Sequence, residues 1–262
     1  MTELPSDATW LRRYHDADEG APIVVLLPHA GGSASYFHPL SRALSPSLDA
    51  RAVQYPGRQD RRHEPVSQTV DEIVEGLLPP VARLVDTGRG VTLFGHSLGA
   101  TISFEVARRL EHERGTPVAG LVVSARCAPS QHRSADIHLL DDDGLLGEVE
   151  RLSGTDSSIL RDEEMRALVL PTLRGDYRAA ETYRYVPGPS LSCPVMTICG
   201  DTDPRVEPAD LIGWEAHTVG PVRHVILPGD HFYFAGNCAP LVRRLHDAAG
   251  VHIHVPLHST VS

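Results

Sequence analysis

Residues 95–99 read Gly95-His96-Ser97-Leu98-Gly99, a G-x-S-x-G pentapeptide. The apolar run Val91-Thr92-Leu93-Phe94 precedes it, and a helix-like stretch from Ala100 to Arg114 follows. Short apolar runs of this kind read as buried strand. Strand, G-x-S-x-G and helix in that order make a nucleophile elbow, a sharp turn that holds a serine hydroxyl up at the strand's end. The turn leaves no room for side chains on either flank, so glycine is required at 95 and 99. Ser97 is the candidate nucleophile.

A serine hydroxyl needs a base within hydrogen-bond reach and a third group to orient that base. On folds that carry this elbow the chain order is serine, then an acid, then histidine. Two further strand-like runs end in suitable residues. Pro194–Cys199 leads into Gly200-Asp201-Thr202-Asp203-Pro204, and Val222–Leu227 leads into Pro228-Gly229-Asp230-His231-Phe232. Open parallel sheets assemble their sites beyond the C-terminal ends of strands. His231 follows a strand end, whereas His217 and His224 do not; spacing alone leaves Asp201 and Asp203 open, Asp203 also suiting a helix N-cap ahead of Pro204. Acyl hydrolysis passes through an oxyanion that preorganised N–H groups stabilise. The amide of Leu98, just after the nucleophile, is one expected donor. Ala30 is the other, in the run Pro28-His29-Ala30-Gly31-Gly32 that closes the apolar stretch Ile23–Leu27.

The chain has 262 residues, 41% hydrophobic and 22% charged, enough for one α/β domain with a sizeable core. No run of about 18 apolar residues and no charged leader is present, so neither a membrane span nor secretion is expected, and a cytoplasmic location is. Cys127, Cys193, Cys199 and Cys238 are scattered and are expected to be reduced. A net charge of −10 argues against nucleic acid as a partner. One basic cluster, Arg58-Gln59-Asp60-Arg61-Arg62-His63, reads as a surface loop on the same rim as the site. It could dock an acidic partner or simply be solvated.

Strand-like runs recur at 22–27, 50–55, 91–94, 118–123, 194–199 and 222–227, with helix-like stretches at about 36–44, 68–86, 98–114, 207–217 and 238–248. This alternation predicts a mostly parallel central sheet flanked by helices. Residues 128–190 interrupt it, too long a stretch for an ordinary loop, and are expected to form a helical lid over the C-terminal edge of the sheet. His252, His254 and His258 look like metal ligands on paper, but no carboxylate or thiolate lies beside them, and they read as a tail. No metal and no other cofactor is expected.

LLPHAGGSASYF (26–37), VQYPGRQDRR (53–62), FGHSLGA (94–100), LRGDYRAAETYRY (173–185), GDTDPRVEP (200–208) and LPGDHFYF (227–234) together resemble the type II thioesterases of polyketide synthase and nonribosomal peptide synthetase systems. The resemblance spans roughly residues 10–245. It departs at Leu98, where many relatives have methionine, a change that touches pocket shape and not the backbone donor. It implies an α/β-hydrolase fold with a helical lid. It also implies hydrolysis of acyl groups from the phosphopantetheine arm of acyl or peptidyl carrier proteins, with the matching acid at Asp203. A carboxylesterase or peptidase would use the same triad, and a non-catalytic carrier-binding module is the reading from another class. The partner synthase and the acyl chain stay open, and so does the oligomeric state, with a monomer favoured.

Overall fold

The computed structural model describes residues 7–131, 133, 135–153 and 162–251. Seven strands form one sheet: β1 Leu11–Arg12, β2 Ile23–Leu27, β3 Asp49–Val53, β4 Val91–His96, β5 Gly120–Ser124, β6 Val195–Gly200 and β7 Val222–Leu227. Their order is β1-β3-β2-β4-β5-β6-β7. The six runs expected from the sequence are all present and pair in parallel. The two-residue β1 was not foreseen; it pairs antiparallel with β3 and is too short to show a period.

Strands covered on both faces are apolar throughout. In β2 the sequence Ile-Val-Val-Leu-Leu is fully buried, and successive side chains enter opposite layers. Ile23, Val25 and Leu27 join the cluster beneath α3 (Val70–Asp86) and α4 (Leu98–Arg114), whereas Val24 and Leu26 join the one beneath α2 (His38–Leu44) and α7 (Ala239–Ala248). The short α1 (Asp7–Trp10) places Trp10 in the first of these layers. The edge strand β7 buries only Val225 and Leu227, as expected where one side lacks a neighbour.

The sheet register gathers the strand ends on one rim. Leu27 stands opposite Gly95, His96 opposite Ser124 and Gly200 opposite Leu227, so the loops that follow β2, β4, β6 and β7 leave together. Between β5 and β6 the chain forms α5 (Asp142–Ser153) and α6 (Glu163–Thr182). Leu145 and Leu146 of α5 pack with Leu170, Leu173 and Tyr177 of α6 in a small apolar cluster of their own. The stretch at 207–217 is a 3-10 helix, Pro208–His217, rather than an α-helix; Gly213 in its middle weakens α-propensity. His252, His254 and His258 lie outside the described residues.

The basic cluster lies at the surface, with Gln59, Asp60, Arg62 and His63 exposed, but two of its arginines turn inward. Arg61 is 3% exposed; its guanidinium lies 4.3 Å from the Trp10 ring centroid and donates to the Gln54 carbonyl at 2.8 Å and to Glu64 at 2.7 Å. Arg58 is 7% exposed and forms an ion pair with Asp176 on α6. Of the three arginines only Arg62 faces solvent. The partners that bury the other two are Trp10, far upstream, and Asp176, far downstream, so the local charge pattern could not reveal them.

Candidate active site

Ser97 joins β4 to α4 with φ 54° and ψ −114°, a left-handed conformation rarely taken by a residue with a side chain. Its amide donates to the Ser124 carbonyl at 2.8 Å, and its carbonyl accepts from the Ala100 amide at 3.0 Å. The flanking glycines are required by contact. A Cβ on Gly95 would strike the Gly99 carbonyl, and one on Gly99 would strike the carbonyls of Leu27 and Pro28. The elbow is therefore wedged against the end of β2, which brings the 28–32 loop to the serine.

The loops after β6 and β7 meet. His231 Nδ1 lies 2.9 Å from Asp203 Oδ2 and 3.1 Å from Oδ1, and both residues are buried. Asp203 Oδ1 also accepts from the Arg205 amide at 2.8 Å, so the N-cap-like contact and the histidine contact coexist. Asp201 is exposed, and its carboxylate accepts from the Gly229 amide at 2.9 Å, tying the two loops together. His217 pairs with the Ser130 hydroxyl, and His224 bridges Thr197 and Glu215; neither lines the cavities at Ser97.

Two cavities meet at Ser97. One, about 270 Å³, is walled mainly by apolar groups, among them Val149, Leu152, Val169, Leu173 and Phe232. The other, about 500 Å³, carries Arg126, Arg133, Arg151 and Arg205 with Glu148 and Glu181. Ala30, Ser97, Leu152, Tyr177 and His231 line both, and Leu98 lines the second. Among the described residues the Ser97 hydroxyl has no hydrogen bond to the His231 ring. Such contacts often tighten only when substrate binds.

In the sequence His29 and His96 stand only as members of their motifs. His96 is fully buried, with its ring centroid 5.2 Å from that of His231 and 5.9 Å from that of His29. Its Nδ1 lies 2.9 Å from the Ser124 hydroxyl, which in turn lies 2.7 Å from the Tyr233 hydroxyl. Burial, and then the neighbouring imidazoles of His231 and His29, hold the His96 pKa well below its ordinary value. Burial, then the charges of His231 and Arg58, depress His29 to about 3. Both rings therefore stay neutral. Asp176 was also missed; it lies mid-helix in α6, where nothing in the local pattern marks it.

Comparison with known proteins gives the family. A thioesterase-domain family model matches residues 22–249. Thioesterase PikA5 of Streptomyces venezuelae is 48% identical over 89% of this chain and 84% of its own length. A probable cadicidin biosynthesis thioesterase of Streptomyces griseus is 44% identical over 86% of this chain, which spans 62% of that protein. The structure of BorB, the type II thioesterase from the borrelidin biosynthetic cluster, superposes with a TM-score of 0.84 at 44% identity, covering 92% of this chain and 98% of BorB. The chain belongs to the thioesterase family, among the type II thioesterases of polyketide and nonribosomal-peptide clusters.

Proposed function

We propose that the chain hydrolyses acyl groups from the phosphopantetheine arm of acyl or peptidyl carrier proteins through a Ser97–His231–Asp203 triad. The observation that carries this reading is the buried Asp203–His231 pair opening onto the same cavities as a serine held at φ 54°. In the cycle, His231 Nε2 takes the hydroxyl proton as Ser97 attacks the thioester carbonyl. Asp203 accepts from Nδ1–H, fixing the tautomer and stabilising the imidazolium. The amides of Leu98 and Ala30 hold the oxyanion. As the C–S bond breaks, the His231 imidazolium gives its proton to the sulfur and the thiol departs on its carrier; the neutral His231 then takes a proton from water, which attacks the acyl carbonyl, and returns it to the Ser97 oxygen as the acid is released. No step draws on a metal or another cofactor.

The apolar cavity suits the acyl chain and the charged one the polar arm, because each wall then meets its own kind of surface. Within residues 128–190, α5 and α6 act as the lid, supplying Val149, Leu152, Val169 and Leu173 to the apolar wall. The whole works as a single cytoplasmic domain. Among the described residues no helix is long and apolar enough to cross a membrane.

The test compares turnover of an acylated carrier protein with that of a p-nitrophenyl ester of the same acyl group. A higher kcat/KM on the carrier thioester is expected. Preference for the simple ester would favour a carboxylesterase, and no turnover of either would favour a binding module.

A further inference from the structure

The loop that bears Ala30 is held from outside the sheet. Gly31 sits at φ +77°, and its amide donates to Asp176 Oδ2 at 2.7 Å, across 145 positions of sequence. The same oxygen accepts from Arg58, and the two charged side chains are 1% and 7% exposed. Arg58 also donates to the Pro56 carbonyl at 2.8 Å, and its own carbonyl accepts from Gln54 Nε2 at 3.1 Å. Gln54 Oε1 closes the circuit by accepting from the Ala34 amide at 2.9 Å. Both ends of the 31–34 turn are thus tied to one buried network.

Helix α6 is seated on that network. Thr172 donates to the Gly57 carbonyl at 3.0 Å, and a Cβ on Gly31 would strike the Leu173 side chain. A buried ion pair is weak evidence for stability, because desolvation offsets much of its attraction. Its placement here serves geometry. Fixing the Gly31 amide fixes the peptide plane that leaves Ala30, and the Gly32 amide, donating to the His29 carbonyl at 2.9 Å, holds the plane that contains the Ala30 N–H, so the two dihedrals of Ala30 between those planes are restrained from both sides. Charge balance matters as well. A lone carboxylate beside an oxyanion site would oppose the developing negative charge, and Arg58 neutralises it.

We propose that Asp176, paired with Arg58, is the positioning residue for the Ala30 N–H, so that α6 sets the oxyanion site as well as covering it. The proposal rests on the reading of Ala30 as an oxyanion donor. Displacing such a donor by about 1 Å lowers turnover by about 10²-fold. The double variant Arg58→Met/Asp176→Leu removes both charges together, leaves no unpaired ion, and takes away the acceptor for Gly31.

Four quantities decide the matter: kcat and KM on an acyl thioester of N-acetylcysteamine, affinity for butylboronic acid, and the melting temperature. The boronate's tetrahedral serine adduct places an oxygen where the oxyanion forms. The double variant is expected to lose about 10- to 100-fold in kcat with KM within about threefold. Boronate affinity should fall in parallel. Asp176→Asn retains a neutral acceptor for Gly31 and should keep kcat within about threefold of the parent. If the double variant does not fold, the smaller pair Arg58→Ala/Asp176→Ala, which also removes both charges together, is read in the same way. Parent-like kcat and boronate affinity in either folded variant overturn the proposal, as does activity that merely tracks the folded fraction. Failure of the underlying functional reading looks different, since the parent itself would then show no Ser97-dependent thioester turnover.

Discussion

Replacing Asp203 by asparagine changes one atom, and the structure says which way the new amide must face. Asp203 Oδ1 accepts from the Arg205 amide at 2.8 Å, and Oδ2 lies 2.9 Å from His231 Nδ1. In Asp203→Asn the amide oxygen stays on the Arg205 N–H, because the NH₂ group cannot accept there. The NH₂ then faces His231 Nδ1, which must present a lone pair. The ring proton moves to Nε2, where the lone pair is needed to take the serine proton. Wrong-tautomer substitutions of this type lower kcat by about 10⁴, about 5.4 kcal/mol of barrier. The Asp201 carboxylate accepts from the Gly229 amide and not from His231, so Asp201→Asn should stay within about tenfold of the parent. The assay is steady-state hydrolysis of an acyl thioester by both variants, with circular dichroism to confirm folding. An Asp203→Asn enzyme within tenfold of the parent, or a larger loss in Asp201→Asn, would refute the reasoning.

His96 makes the fold sensitive to acid. The folded ring stays neutral because burial holds its pKa well below 6.5, whereas the unfolded chain's histidine takes up a proton as pH falls through about 6.5. The unfolded state then binds more protons, so stability is full above pH 6.5 and declines below it, by about 1.4 kcal/mol per pH unit for this one group. Urea unfolding at pH 7 and pH 5.5 measures the decline; equal stability at the two values would contradict a neutral buried His96. The basic cluster gives a contrast between neighbours. Arg61→Ala removes packing on Trp10 and leaves Glu64 without its partner, and should lower the unfolding free energy by about 2 kcal/mol. The exposed Arg62→Ala should fall within about 0.5 kcal/mol of the parent and leave KM for carrier-bound substrate unchanged. Equal effects of the two in chemical denaturation would show that the assigned burial is wrong.

What could be read from the sequence was local. The elbow is legible because strand, paired glycines and helix fall within about twenty residues and leave one backbone solution. The parallel sheet is legible because its strands are buried on both faces and spell continuous apolar runs. His231 could be found from its place after a strand end, but choosing Asp203 over Asp201 needed family resemblance, since both sit in one loop and only the fold decides which carboxylate turns inward. The rest depends on contacts that no window of sequence contains. Arg58 and Arg61 look like a solvated basic loop until Asp176 and Trp10 arrive from distant segments to bury them. His29 and His96 look like motif spacers until the register of β2 and β4 sets His96 beside His231 and His29 beside His96. Asp176, mid-helix in α6, acquires a role only when that helix is laid on the 28–34 turn.

Ser97 is proposed to carry the acyl group away from the carrier thiol. The most direct measurement follows an acylated carrier protein by intact-mass spectrometry in the presence of the parent enzyme or of Ser97→Ala. With the parent, the carrier should lose the mass of the acyl group and return to the free phosphopantetheine thiol. With a folded Ser97→Ala variant, the rate should fall by about 10⁴ to 10⁶, leaving the acyl carrier intact on the same timescale. Deacylation by Ser97→Ala within tenfold of the parent would contradict the account.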